Sequence, residues 1–254
     1  MSGLKAAVTL LTRIPMGGAD WDRGDLSRSV KWVPVVGGLI GLVVALAYAG
    51  LVSVMPATLA AGLAVAVGML FTGALHEDGL ADTVDGFAGG SDSEDRLRIM
   101  KDPVHGTYGA LALVLSVVVR VAALAAMGSV PALFLLPAVH AVSRGGAVAL
   151  MGALPPASSE GLGAAHSDPG LRRQVLIGVL FAILIGLVTL GWWLVPFAVL
   201  AVAGTIVIGF LARRLISGYT GDVLGAAQQV GEILLMVLGA SMVSSGLIVS
   251  VWWR

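Results

Sequence analysis

Apolar residues run in long blocks along this chain, parted by short polar or Gly/Pro breaks. Between Lys31 and Glu77 no Asp, Glu, Lys or Arg occurs, and Pro56 sits near the middle. At about 1.5 Å per helical residue that stretch is about twice the length a bilayer core of about 30 Å needs. It predicts a helical hairpin with spans near 33–55 and 57–75. After a polar stretch at 76–106 come spans near 107–128 and 131–153, parted at Gly128 and Pro131. A second polar loop at 154–173 leads to spans near 174–191 and 193–211, hinged at Gly191–Trp193 and Pro196. The last span is expected near 230–253, which makes seven. The N-terminal MSGLKAAVTLLTRIP holds an apolar stretch of only about eight residues with no small-residue cleavage site after it. It predicts a short amphipathic or interfacial helix rather than a signal peptide.

Composition strengthens this reading. Apolar residues make up 57% of the 254, charged residues 12%, and the mean hydropathy is +0.96. A soluble domain carries about 25% charged residues, so thirty charged side chains are too few to solvate a globule of this size. Disorder is excluded by the same numbers. Fifteen basic and fifteen acidic residues leave no basic excess, which argues against a polyanion or nucleic-acid binder. With no cysteine, thiolate catalysis and Cys-based zinc sites are ruled out. The expected class is an all-α, polytopic integral membrane bundle, a single domain over 1–254.

Basic residues set the orientation. Lys5, Arg13, Arg23, Arg28 and Lys31 precede the first span. Arg96, Arg98 and Lys101, then Arg172 and Arg173, then Arg213 and Arg214 fall in later loops on the same side. The intervening turns carry none, and only Arg254 falls opposite, so that side is expected in the cytoplasm. Residues 1–31 would then form a cytoplasmic or interfacial segment, and 76–106 a cytoplasmic acidic segment. Among thirty-five glycines, Gly37, Gly38 and Gly41 suit close helix packing. Such packing also allows a homo-oligomer.

Chemistry concentrates at 76–109, HEDGLADTVDGFAGGSDSEDRLRIMKDPVHGTYG. Eight of the fifteen acidic residues fall between Glu77 and Asp102, against three Lys or Arg. At about 100° per residue, Asp78, Asp82 and Asp85 project within about 60° of one another on a helix. Like charges at that spacing destabilise a helix, so the arrangement calls for a divalent cation. Mg²⁺ sites use carboxylates together with substrate phosphates. His76 falls about 160° from Asp78, off that face, as a candidate substrate contact or acid–base group. Glu77, about 100° off, reads as a solvated neighbour. Asp92 suits the N-cap of a helix near 93–101. Gly106, Thr107 and Gly109 open the next span, where free N–H groups can meet a phosphate. Arg120 and Arg144 lie inside spans, where ionisable residues usually face a cavity or a partner. Arg144 suits bidentate phosphate binding; Arg120 reads as an ion-pair partner. Asp222, among glycines before the last span, is a candidate fourth carboxylate, with Glu232 ten residues on.

The run 76–86 (HEDGLADTVDG), followed by Arg96, Met100, Lys101, Asp102 and Gly106, Thr107, Tyr108, Gly109, resembles the cobalamin-5′-phosphate synthase family. Thr12, Arg13, Ile14 and Pro15, then Ser143 and Arg144, then Thr220, Gly221, Asp222 and Gly225 also resemble its pattern, so matches run from residue 12 to about 232. Glu77 departs from it, standing where an apolar residue is expected. The resemblance implies a bacterial inner-membrane transferase of late cobalamin assembly with its active site facing the cytoplasm. It would join adenosylcobinamide-GDP to α-ribazole or its 5′-phosphate and release GMP. In that reading Asp78, Asp82 and Asp85 hold Mg²⁺ and Asp222 completes the set. Arg144 and Lys101 hold phosphates, while Arg96, Gly106, Thr107 and Gly109 contact the nucleotide side. A proton would pass to His76 or a carboxylate such as Asp82.

Two other classes share features of this pattern. CDP-alcohol phosphotransferases and membrane prenyltransferases also set Asp residues on membrane helices. The first want an Arg soon after Asp-Gly, where Asp82 stands here, and the second generally carry two Asp-rich motifs. A transporter would place its polar residues at the bilayer midplane and show repeats; most acids here cluster at one surface.

Overall fold

The structure, a computed structural model, describes residues 3–16, 23–157 and 168–247. Among these it holds eleven α-helices: α1 (Gly3–Leu11), α2 (Arg23–Ser29), α3 (Val33–Val52), α4 (Ala57–Thr72), α5 (Leu75–Gly89), α6 (Ser93–Ile99), α7 (Thr107–Met127), α8 (Ser129–Ala153), α9 (Leu171–Leu190), α10 (Leu194–Ile216) and α11 (Gly221–Ser244). Helical turns at Val30–Trp32 and Gly191–Trp193 join neighbours. No strand occurs among the described residues; one isolated bridge pairs Pro156 with Tyr219. The all-helical membrane class follows from these helices. Their apolar outer faces, such as Leu115 and Val118 on α7, Leu180 and Leu184 on α9, and Val202 and Ile206 on α10, are exposed. Such faces are stable only against lipid.

Five helical stretches among the described residues are long and apolar enough to cross a membrane, and six if α4 with α5 forms one broken span. The seven crossings expected are not confirmed by this count, in which Leu171–Ile216 enters as a single stretch. One of the five, Leu171–Ile216, is 46 residues long. It breaks at Gly191, whose φ of 59° suits glycine. Its two ends both lie beside the end of α8, since Gly152 faces Val175 and Gly209 faces Leu150. The chain therefore doubles back at the break. The last helix also differs from expectation, starting at Gly221 rather than near 230. Gln228, Gln229 and Glu232 broke up the apolar pattern there, yet all three are buried inside α11. The expected end at 248–253 lies outside the described residues.

α8 forms the centre, packed on α3, α9, α10 and α11. Glycines make the α3 contact close: a Cβ at Gly41 would strike the Leu136 carbonyl, and one at Gly37 would strike the Arg144 side chain. This bears out the packing role of that glycine run, which also leaves room for Arg144. The N-terminal helix is present as expected, and α1 packs its Ala7 and Leu11 against Val36 and Ile40 of α3. At the end of α4, Gly73 (φ 66°) and Ala74 (φ 56°) both take left-handed conformations. That conformation is strained at Ala74, which carries a Cβ. Together they turn the chain by 89°, so α5 leaves the direction of α4 and crosses the end of the bundle. α5 packs there on α11 and α7, and α6 packs back onto it.

Candidate active site

α5 carries four carboxylates in fifteen residues, and each meets a different environment. Asp78 and Asp82 stand one turn apart and face out of the bundle end. The side chain of Asp78 is 62% exposed and that of Asp82 15%. Into the space between them comes His105, from the turn before α7. Its ring nitrogens lie 3.7 Å from an Asp78 oxygen and 3.3 Å from Asp82 Oδ1. One ligand atom from each of the three lies within 4.8 Å of the others, close enough for a shared cation. Burial pushes the Asp82 carboxyl up to about 6, helped by the charges of Asp78 and Asp222 and eased by His105. A carboxylate whose charge is disfavoured by like neighbours is one that a cation would relieve. The oxygen donors fit Mg²⁺, which prefers carboxylates and water; the imidazole nitrogen is the poorer match.

Asp85 is on the expected face but does another job. It is buried, and its two oxygens accept N–H bonds from Gly106 at 2.7 Å and Gly109 at 2.8 Å. The free N–H groups expected to meet a phosphate at the start of α7 are thus met by the protein's own carboxylate. A Cβ at either glycine would strike that carboxylate, which explains the glycines by close approach. The structure does not bring Asp85 into the three-residue cluster. Thr107 is exposed on the first turn of α7. Lys101 is exposed at the end of α6, near enough to Asp222 for its charge to act there. Arg96 packs its aliphatic stem on Gly90 at the α5–α6 corner. Asp92 caps α6 as expected, accepting from the N–H groups of Glu94 and Asp95 at 3.0 Å.

Glu77 corrects the sequence reading. It is not solvated; it is 4% exposed and binds Arg120 Nη1 at 2.9 Å. The same Arg120 nitrogen reaches Glu232 at 3.2 Å, which confirms its ion-pair role. Glu232 in turn accepts from Gln228 at 2.6 Å and lies 3.3 Å from His140 Nδ1. Arg144, 2% exposed, donates to the His140 carbonyl at 3.2 Å and lies 3.8 Å from Glu232. Its Nε is buried with no hydrogen-bond partner. This ionic layer lies inside the bundle on α5, α7, α8 and α11. A buried charge is tolerable only when paired, and two arginines here balance two glutamates.

A cavity of about 170 Å³ joins the two layers. Asp78 and Asp222 are on its wall, and His76, Arg144 and Gln228 line it deeper in the bundle. Asp222 sits in the first turn of α11, whose N-cap Thr220 accepts from Val223 N–H at 3.2 Å. It comes against α5 because a residue with no side chain, Gly79, meets its backbone. Sequence reasoning overlooked His105 and His140. His140 had a signal, four residues before Arg144 on one helix face. His105 had only its place before the glycine run, and its approach to Asp82 is a matter of how the turn folds.

These features define an all-helical, multi-pass membrane protein with a carboxylate–imidazole cluster set over a buried ionic layer. Residues 3–240 match the family model described as cobalamin-5-phosphate synthase, and the chain belongs to that family. It is 44% identical over 238 residues to the adenosylcobinamide-GDP ribazoletransferase of Rhizobium etli (strain CIAT 652), across 89% of this chain and 92% of the relative. The enzyme of that name from Bradyrhizobium diazoefficiens is 41% identical over 253 residues, covering 95% and 94%. That from Chlorobaculum tepidum is 38% identical over 245 residues, covering 94% and 95%. No solved structure matches the chain.

Proposed function

We propose that this chain joins adenosylcobinamide-GDP to α-ribazole or its 5′-phosphate and releases GMP, in a Mg²⁺-dependent reaction at the cytoplasmic face of a bacterial inner membrane. The observation that carries this reading is a cavity lined by Asp78, Asp222 and Arg144, with Asp82 one turn from Asp78 on α5 and within reach of the Asp222 charge. Asp78 and Asp82 would hold Mg²⁺, with Asp222 as the third carboxylate. When bound, Mg²⁺ supplies neutralisation of the charge gathering on the departing GMP. Arg144, on the cavity lining, would hold a substrate phosphate, and Lys101 approaches from the rim. A ribose hydroxyl of α-ribazole attacks the corrinoid-linked phosphorus while the bond to GMP breaks. His76, on the same cavity wall, takes the hydroxyl proton. His105, a nitrogen donor beside two oxygen ligands, is left to contact the diphosphate.

The test is turnover in nanodiscs with adenosylcobinamide-GDP, α-ribazole 5′-phosphate and Mg²⁺. GMP and a corrinoid bearing the lower ligand are expected, both lost in EDTA and in Asp82→Asn. Folded protein that releases CMP from CDP-alcohols or inorganic diphosphate from prenyl substrates, and no GMP, would overturn it.

A further inference from the structure

The cavity beside the acidic cluster has two unlike walls. One comes from α5 and the start of α11 and sets the polar groups His76, Asp78 and Asp222 beside Leu75 and Leu224. The other, apart from Ser29 and Arg144, is apolar and comes from three separate pieces of chain. Leu10 and Leu11 end α1, Val30 and Val33 lead into α3, and Val148 and Met151 sit on the last turns of α8. The reaction chemistry proposed above uses the polar wall and Arg144 alone. It gives no reason for an apolar wall at the site of a highly charged diphosphate. Water is poorly held against such a wall, because a buried water needs two to four polar partners.

Resting on the proposed reaction, we infer that this apolar wall is the seat of the benzimidazole base of α-ribazole, and that the chain selects its nucleotide substrate there. The base is a flat, uncharged bicycle, and the sugar carrying it is polar, so the substrate has the same two faces as the cavity. Size is compatible: an apolar cavity of about 150 Å³ takes benzene, and this one, about 170 Å³, is open to the outside, so a bicycle about half as large again need not be fully enclosed. The corrin macrocycle is several times too large and must stay outside, beyond the rim formed by Asp78. With the base against Val148 and Met151, the ribose points across the cavity toward Asp78, Asp222 and His76. That is where the attacking hydroxyl is needed. The site also explains why α1 is anchored. Arg13 N–H donates to the Phe71 carbonyl at 2.8 Å, which ties the end of α1 to the α4–α5 bend and holds Leu10 and Leu11 in place.

The experiment measures KM for each substrate separately in wild-type protein and in two variants away from the charged groups. Val148→Phe fills the cavity, and Met151→Ala enlarges it. Val148→Phe is expected to raise KM for α-ribazole 5′-phosphate at least about tenfold, the effect of a mismatch near one methylene in an apolar pocket. KM for adenosylcobinamide-GDP should stay within about twofold. Met151→Ala should shift preference toward a ribotide with a bulkier base, such as a naphthimidazole. Because the two variants act in opposite directions, poor folding of one does not decide the result. If wild-type protein releases no GMP, the proposed reaction fails, and this inference with it. If wild-type protein turns over and Val148→Phe raises KM for the corrinoid instead, or neither variant alters base preference, only the base site is overturned.

Discussion

Glu77 and Asp78 are neighbours in the chain and belong to opposite regions of the molecule. Asp78 is in the outer cluster, where three carboxylates and one imidazole leave an excess of negative charge near solvent. Glu77 is one step of about 100° around the same helix and lies in the inner layer. There every glutamate faces an arginine and almost no surface is exposed. The outer cluster is unbalanced and needs something from outside, a cation or a charged substrate. The inner layer is balanced in charge by the chain itself. Reactivity and stability are thus separated by a single helical step.

The comparison breaks most sharply if the inner layer is damaged. Arg120→Ala would leave Glu77 and Glu232 buried beside a lost partner, a loss of about 3–5 kcal/mol. Thermal unfolding in detergent should show a large fall or no folded protein. An unchanged melting temperature would mean the layer is hydrated and not structural. Asp82→Asn should do the reverse: catalytic efficiency falls about 10²-fold or more, while the melting temperature holds or rises because a repulsion is removed. A variant that loses both together would erase the distinction between the regions.

Acid should act on the outer cluster first. With the Asp82 carboxyl raised from 3.8 to about 6, it is charged above that pH and neutral below it. Mg²⁺ binding, read by titration, is expected intact near pH 7.5 and about tenfold weaker near pH 5. The folded state without metal should gain stability over the same fall, since protonation removes the repulsion. Affinity that is flat from pH 7.5 to 5 would take Asp82 out of the metal site. The smallest effect belongs to Asp85, which ties α5 to the start of α7. Asp85→Ala leaves the Gly109 N–H buried without its acceptor, and about 1–3 kcal/mol should be lost. Metal binding should change little; if Mg²⁺ affinity falls as far as in Asp82→Asn, Asp85 is a ligand after all.

Much of this was legible in the chain. The apolar blocks gave the helices and the membrane class, because a lipid-facing helix must be apolar over its whole length. The four-residue step from Asp78 to Asp82 was readable because helix period alone sets which side chains share a face. Glycines at 37 and 41 announced close packing, though not that the side chain they make room for is Arg144. Glu77 was misread because burial depends on what lies across the interface, and its partner Arg120 is 43 residues away. The early start of α11 was hidden for the same reason. Gln228 and Glu232 look like surface residues until α8 and α7 bring His140, Ser143 and Arg120 against them.

The sequence by itself determined what is periodic and local: helices, their apolar faces, the cap at Asp92, and the register of Asp78 with Asp82. Only the tertiary structure decided which polar groups meet. It turned α5 across the bundle end through Gly73 and Ala74, gave Asp85 to the N–H groups of Gly106 and Gly109, and set His105 between two aspartates. Helix formation depends on neighbours within four residues, whereas a carboxylate's fate rests on charges and donors that only folding brings within about 4 Å.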